Sequence, residues 1–232
     1  MPIAVLVVED HCMMRDALAA QLVEDGRFAP VHLAATGDAA WAIFTSKPVD
    51  LVLMDIELPD HDGIVLARNM VAVQTKLPVI AVSCHCDDYT TYRIRRSPII
   101  GYVDKCRQQT SGLIAAIDAI LESRTAYAPA YVEAARNLSR HPDAFYKILT
   151  PREIQLMPLF GLGLSNEAIA AMVGIAATTV QGHRGNVTAK LELKHARELV
   201  SYAVARGFVR SAEVEEAQAG RVPPYLLLRE NR

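Results

Sequence analysis

The first 125 or so residues alternate between two kinds of segment, and this alternation limits the fold more than any other feature of the chain. Short apolar runs rich in Val, Ile and Leu occur at Ile3–Val8, Val31–Ala34, Leu51–Met54, Val79–Val82 and Ile99–Val103. Runs of this length and composition suit parallel strands buried on both faces. Between them, Met14–Glu24, Asp38–Thr45, Ile64–Val73 and Tyr89–Arg95 place apolar residues at helical spacing, and Ser111–Glu122 does so after the last. The pattern predicts a doubly wound α/β domain with a five-stranded parallel sheet over residues 1–123.

The remainder reads differently. Residues 124–147 contain Pro129, Pro142 and scattered charges, with a short helix at Tyr131–Leu138, and read as an interdomain linker. From Leu149 the pattern is purely helical. Thr150-Pro151-Arg152-Glu153 combines a capping box with Pro at the first helical position. Ser165 is placed to cap Asn166–Val173, and Gly174 to end it. Thr178–Leu191 and His195–Arg206 follow, the second stopped by Gly207. Four short helices with a tight turn predict a small all-α helix-turn-helix domain over 148–210. A tail, 211–232, begins as a helix but contains Pro223-Pro224.

Composition removes several classes of function. Hydrophobic residues make up 51% and charged residues 22% of the chain, too apolar for a disordered protein. The longest stretch without a formal charge, Ala168 to His183, is too short and too polar to span a bilayer, so no membrane partner is expected. The N-terminus lacks a basic region and reads as a strand rather than a signal peptide. With only four cysteines, a cytoplasmic, reducing location is the expectation. Residues 1–126 carry 11 Lys/Arg against 16 Asp/Glu, whereas 148–210 carry 7 against 4. An acidic module followed by a mildly basic one suggests different partners for the two.

In open α/β sheets, ligands collect at the carboxyl ends of the strands. There the sequence places Glu9 and Asp10 (first strand), Asp55 (third), Ser83 (fourth) and Lys105 (fifth). Carboxylates so clustered repel unless a cation joins them, and Mg²⁺ suits an all-oxygen set. With Mg²⁺ bound, Asp55 could act as a nucleophile toward a phosphoryl donor, with Lys105 stabilising charge on the transferring oxygens.

Asp55-Ile56-Glu57-Leu58-Pro59-Asp60-His61-Asp62-Gly63, Glu9-Asp10-His11 and Gly101-Tyr102-Val103-Asp104-Lys105 together resemble the flavodoxin-like receiver domain of two-component response regulators. The resemblance implies that Asp55 is the phosphoacceptor, and that Glu9, Asp10, Asp55 and the Glu57 carbonyl hold Mg²⁺. It also implies that Lys105 pairs with the phosphoryl group, Ser83 hydrogen-bonds it, and Tyr102 reorients as a switch. A cognate histidine kinase is the implied partner. The sequence departs from the family at Cys106, where Pro is usual, at Ser97-Pro98, where Ala-Gly is usual, and at Cys84, where a small residue is usual.

Leu149-Thr150-Pro151-Arg152-Glu153, Gly163-Leu164-Ser165-Asn166-Glu167-Ala168-Ile169-Ala170, Thr179-Val180-Gln181-Gly182-His183 and Lys190-Leu191 resemble the DNA-binding domain of the NarL/LuxR type. The resemblance implies promoter DNA as partner, with the helix Thr178–Leu191 in the major groove, and a homodimer when active, formed through the last helix (His195, Leu199, Tyr202). On the groove helix, Thr178, Gln181, Gly182 and Gly185 share the outward face. Gln181 could pair with adenine and Thr178 could touch a thymine methyl. Arg184 and Lys190 could meet phosphates. This face has few positive charges, which keeps a second reading open: a receiver-containing regulator that acts through protein contacts, its helix-turn-helix weak or lost in DNA binding. A flavodoxin-like enzyme is disfavoured, because His11-Cys12-Met13-Met14-Arg15 offers no Gly-rich phosphate loop.

Cys12, Cys84, Cys86 and Cys106 all follow strands and so fall near the acidic rim, accompanied by His11 and His85. Their spacing matches no zinc pattern. Small buried thiols are the default reading, and redox or soft-metal sensing is the alternative.

Overall fold

The structure, a computed structural model, describes residues 2–106, 110–195 and 197–222. It falls into two units, one of residues 1–86 and 93–134, the other of 87–92 and 135 onward.

The first unit is built on a six-stranded parallel sheet with strand order β2-β1-β3-β4-β5-β6. The strands are β1 (Ile3–Val8), β2 (Phe28–Ala34), β3 (Leu51–Asp55), β4 (Val79–Ser83), β5 (Gly101–Asp104) and β6 (Ala126–Tyr127). Helices α1 (Cys12–Asp25), α2 (Gly37–Ser46), α3 (Gly63–Val73), α4 (Asp88–Arg95) and α5 (Thr110–Leu121) connect them. The central strands β1, β3 and β4 are buried almost throughout, which is why they read as unbroken apolar runs. Their packing joins Val5, Val7, Leu51, Leu53, Ile80 and Val82 to Leu18 and Leu22 of α1 and Ile117 of α5. The strand order reverses between β1 and β3, and ligands collect at the carboxyl ends beside such a reversal.

Five strands were expected, and six are present among the described residues. The sixth lies in residues 124–147, which are not a free linker: β6 pairs with β5, and α6 (Pro129–Arg140) and α7 (Phe145–Ile148) follow.

The second unit contains the helix-turn-helix. α8 (Pro151–Gly161) starts with the expected capping box: Thr150 Oγ1 accepts from the Glu153 N–H (3.3 Å) and Thr150 N–H donates to Glu153 Oε2 (2.7 Å). In α9 (Asn166–Val173) the Ser165 hydroxyl accepts from Ala168 N–H, and Gly174 ends the helix at φ 68°. α10 (Ala177–Lys190) has no side-chain cap, because Ala176 stands at that position. α11 (Glu198–Ala205) begins three residues later than expected, and α12 (Ser211–Gln218) opens the tail. The Pro-Pro run at 223–224 lies outside the described residues. Phe160, Val180, Val187, Leu199 and Phe208 are fully buried in this unit's core. Tyr89, from residues 87–92, stacks on Phe208 there. Among the described residues, no helix is long and apolar enough to cross a membrane.

Candidate functional site

Strand register assembles the acidic rim. Val8 pairs with Met54, so Glu9 and Asp55 are the next residues along adjacent strands. Ser83 pairs with Asp104, which sets Lys105 just beyond. Lys105 Nζ lies 2.6 Å from Glu9 Oε2 and 2.6 Å from Asp55 Oδ2. The Asp55 side chain is only 6% exposed and that of Glu9 1%. Burial pushes the Asp55 carboxyl up to about 6; Lys105 opposes the rise and the Glu9 charge adds to it. Burial also disfavours the Lys105 ammonium, but the two carboxylates outweigh it and hold its pKa above the usual lysine value. Asp55 Oδ1 accepts from the Glu57 N–H at 3.1 Å, which fixes the carboxylate's orientation. A cleft of about 480 Å³ opens over the group, lined by Glu9, Asp10, Asp55, Glu57, Ser83 and Lys105 among others.

The loop after Asp55 holds the neighbouring helices. Burial raises the Asp60 carboxyl, but the N–H groups of Gly37 and Asp38 at the start of α2 more than offset this and hold it low. Asp62 caps α3 by accepting from Ile64 and Val65 N–H, and pairs with the Arg93 guanidinium at 2.6 Å.

Tyr102 is fully buried. Its hydroxyl faces the carbonyls of Ser83 (3.1 Å) and His85 (2.9 Å) and accepts from the Cys86 thiol. Its ring stacks on Tyr131, which stacks in turn on Tyr127. The Ser83 hydroxyl is buried and accepts from the His85 N–H at 3.1 Å.

The residues suit a hard divalent ion. Ligand atoms of Glu9, Asp10 and His11 lie within 4.8 Å of one another, and the Asp55 carboxylate is joined to Glu9 through Lys105. The carboxylates are hard oxygen donors of the kind Mg²⁺ takes. The second such group among the described residues is Asp38, Asp60 and His61; neither contains a cysteine, so the soft-metal reading has no cluster behind it.

Two family models match the chain. The response regulator receiver domain model matches residues 5–118, and that of the bacterial regulatory proteins of the luxR family matches 147–203. The chain is a response regulator of the LuxR type. Members of this family are DNA-binding transcription regulators of two-component systems rather than enzymes, and receiver domains generally bind Mg²⁺ at the phosphorylation site. The response regulator protein VraR of Staphylococcus epidermidis is 28% identical over 211 residues, covering 90% of this chain and all of that protein. A two-component response regulator RcsB–DNA complex has the same fold, with TM-score 0.61 and 17% identity over 88% of this chain and 99% of that one. RcsB of Salmonella typhimurium gives 0.59 and 17% over 87% and 97%.

The response regulator's receiver residues come together as expected: Glu9, Asp55, Ser83 and Lys105 share one cleft, and Tyr102 lies beneath the loop that follows Ser83. The helix-turn-helix residues divide. Thr178, Gln181, Gly182 and Gly185 are exposed on α10. Arg184 is not: its Nε donates to Asn166 Oδ1 (2.9 Å), its Nη2 to the Leu164 carbonyl (2.6 Å), and it lies over the Phe160 ring at 4.6 Å. Lys190 Nζ binds both oxygens of the buried Glu153 carboxylate (2.7 and 3.0 Å). Arg184 and Lys190, expected to meet phosphates, are thus both tied into the domain by these links. Leu199 is fully buried in the domain core rather than on a dimer face, whereas His195 is exposed and Tyr202 half-buried. The cysteines are not small buried thiols either: Cys84 and Cys106 are exposed and joined in a disulfide, Cys12 is exposed and Cys86 half-buried. Sequence reasoning missed Glu153 as the partner of Lys190 and Tyr131 as the platform under Tyr102.

Gly182 and Gly185 have open space where a Cβ would sit. Gly182→Ala and Gly185→Ala should therefore each stabilise α10 by about 1 kcal/mol, the helical penalty of Gly against Ala. Thermal unfolding followed by far-ultraviolet circular dichroism checks this; a lowered midpoint would contradict it.

Proposed function

We propose that Asp55 is the phosphoacceptor through which a cognate histidine kinase controls binding of this regulator to promoter DNA. The supporting observation is the ammonium of Lys105 held 2.6 Å from both Glu9 and Asp55 at the carboxyl end of the sheet. With a pKa pushed up to about 6, Asp55 is mostly ionised at neutral pH and can act as the nucleophile. Its carboxylate oxygen bonds to phosphorus as the bond to the kinase imidazole nitrogen breaks. Glu9, Asp10, Asp55 and the Glu57 carbonyl would hold Mg²⁺, which supplies positive charge to the phosphoryl oxygens. Lys105 pairs with the transferred group, and the Ser83 hydroxyl turns from the His85 N–H toward it. Tyr102, hydrogen-bonded to the same loop, passes that movement on. Phosphorylation acts by stabilising one of two arrangements over the other.

The DNA face is the exposed side of α10, with Gln181 and Thr178 reading bases and Gly182 and Gly185 allowing close approach. The active form is a homodimer in which His195 and Tyr202 border the contact. That RcsB, a response regulator of the same fold, forms a complex with DNA supports a DNA-binding role. The inward attachment of Arg184 and Lys190 favours weak binding with a shallow salt dependence, and so keeps the protein-contact reading as a second one.

Gel-shift titration with DNA selected from a random pool tests this, with and without beryllofluoride and Mg²⁺. Beryllofluoride should tighten wild-type binding about tenfold or more, a coupling of the size typical for allosteric proteins. Asp55→Asn should not respond. An equal response from Asp55→Asn would refute phosphoacceptor control, and no binding at low salt would favour the second reading.

A further inference from the structure

We propose that Cys84 and Cys106 form a reversible thiol–disulfide switch that sets how readily Asp55 takes up a phosphoryl group. This rests on the phosphoacceptor reading and adds to it a modification site with its own chemistry.

Each cysteine directly follows a residue of the cleft: Cys84 follows Ser83 and Cys106 follows Lys105. β4 and β5 are adjacent parallel strands with Ser83 opposite Asp104, and the Lys105 N–H donates to the Ser83 carbonyl at 3.1 Å. The two Cα atoms are thereby 5.4 Å apart, within the span a disulfide bridges, and the structure joins the sulfurs. Both residues are exposed, so a small oxidant or a reducing thiol can reach them. Cys84 also lines the mouth of the cleft.

The cross-link changes what the Ser83 loop can do. Beneath this loop, the Tyr102 hydroxyl is hydrogen-bonded to the Ser83 and His85 carbonyls and to the Cys86 thiol. At the rim, the disulfide ties residue 84 to residue 106. In the proposed phosphorylated arrangement residues 83–86 close toward the phosphoryl group, bringing the Ser83 hydroxyl, which now accepts from the His85 N–H, within reach of it. The oxidised protein holds the loop at both points and the reduced protein at one, so oxidation disfavours the phosphorylated arrangement.

The chemistry balances with a peroxide as oxidant. One thiolate sulfur attacks the O–O bond of hydrogen peroxide, giving a sulfenic acid and water once a proton is added. The second thiol displaces the sulfenic hydroxyl as another water, and the S–S bond forms. Two thiols have lost two protons and two electrons, and one peroxide has become two waters. A dithiol reductant reverses the step through a mixed disulfide.

The test uses the full chain. Reduced and peroxide-treated protein is alkylated and mapped by mass spectrometry, and phosphorylation by acetyl phosphate with Mg²⁺ is timed on phosphate-affinity gels. Peroxide should protect Cys84 and Cys106, but not Cys12, from alkylation. It should slow phosphorylation by about tenfold, as for a modest population shift, with recovery in dithiothreitol. Cys106→Ser should keep the reduced rate and lose the response. Unprotected Cys84 and Cys106 would overturn the proposal, as would a disulfide that leaves the rate unchanged. If the reduced protein takes up no phosphate, the phosphoacceptor reading fails and the rate effect with it, while the peptide map still decides separately whether the disulfide forms.

Discussion

Gly63→Ala should destabilise the first unit by about 3–5 kcal/mol, the range of the most damaging single substitutions. Gly63 opens α3 directly behind the strand that ends in Asp55. A Cβ there would sit 1.9 Å from the Asp55 carbonyl oxygen and 2.8 Å from Ile56 Cα. Both are backbone atoms, so no side chain can turn aside. Relief requires the start of α3 to move off the end of β3, which breaks the Gly63 N–H bond to the Ile56 carbonyl and displaces the Asp62 cap. Asp55 would move with its strand, so phosphorylation should fall as well. Gly37→Ala is the comparison: its Cβ would sit 2.6 Å from Cβ, Cγ and Nδ1 of His61, so His61 must shift with its loop, but no strand or helix start has to move, and the cost should be smaller, about 1–3 kcal/mol. Urea unfolding followed by the fluorescence of Trp41, the chain's single tryptophan and part of α2, reads this unit. Equal midpoints for the two variants would show that the contact at Gly63 does not govern stability.

The same contact explains why the receiver signature is legible in the sequence: Asp62 is there to cap a helix and Gly63 because only a hydrogen fits. The buried strands were equally plain, since β1, β3 and β4 begin at the residues their apolar runs indicate. Strands that are short or partly exposed left less trace. β2 starts at Phe28, but Pro30 and exposed neighbours break its run. β6 is two residues long, and only its pairing with β5 defines it. In α10, Val180, Arg184 and Val187 recur at helical spacing, so half-buried Arg184 is in phase with the buried pair and turns toward Asn166 and Phe160. Leu199 and Ala203 repeat that lesson in α11, where both are fully buried. The Cys84–Cys106 bond was within reach, since both residues follow positions already assigned to neighbouring strand ends. The Glu153–Lys190 pair, 37 residues apart, left no local signal.

Lys105→Ala tests the electrostatics on which the site depends. Its ammonium is the close cationic partner of two buried carboxylates, with 2.6 Å to each. Removing it leaves Glu9 and Asp55 facing each other in a low-dielectric site, which should cost about 3–5 kcal/mol at neutral pH. The loss should depend on pH with a definite sign. Asp55 in the folded wild type titrates near 6, above its usual 3.8. Between those values the folded state keeps a proton that the unfolded state has released, so the Asp55 contribution to stability falls as pH rises through this window. Without Lys105 to oppose it, the folded pKa moves higher and the window extends toward neutrality. The deficit of Lys105→Ala should therefore be smaller at pH 5, where a proton replaces the lost cation, than at pH 7.5. On an Asp55→Asn background the same substitution should cost less, because one of the two carboxylates is already neutral, and the double-mutant cycle measures the difference. Millimolar Mg²⁺ should restore Lys105→Ala more than it raises wild type, since in the variant it replaces the positive charge lost between the two carboxylates. Urea midpoints from Trp41 fluorescence at the two pH values decide the matter. A deficit that is the same at both and indifferent to Mg²⁺ would mean that Lys105 serves by packing and not by charge.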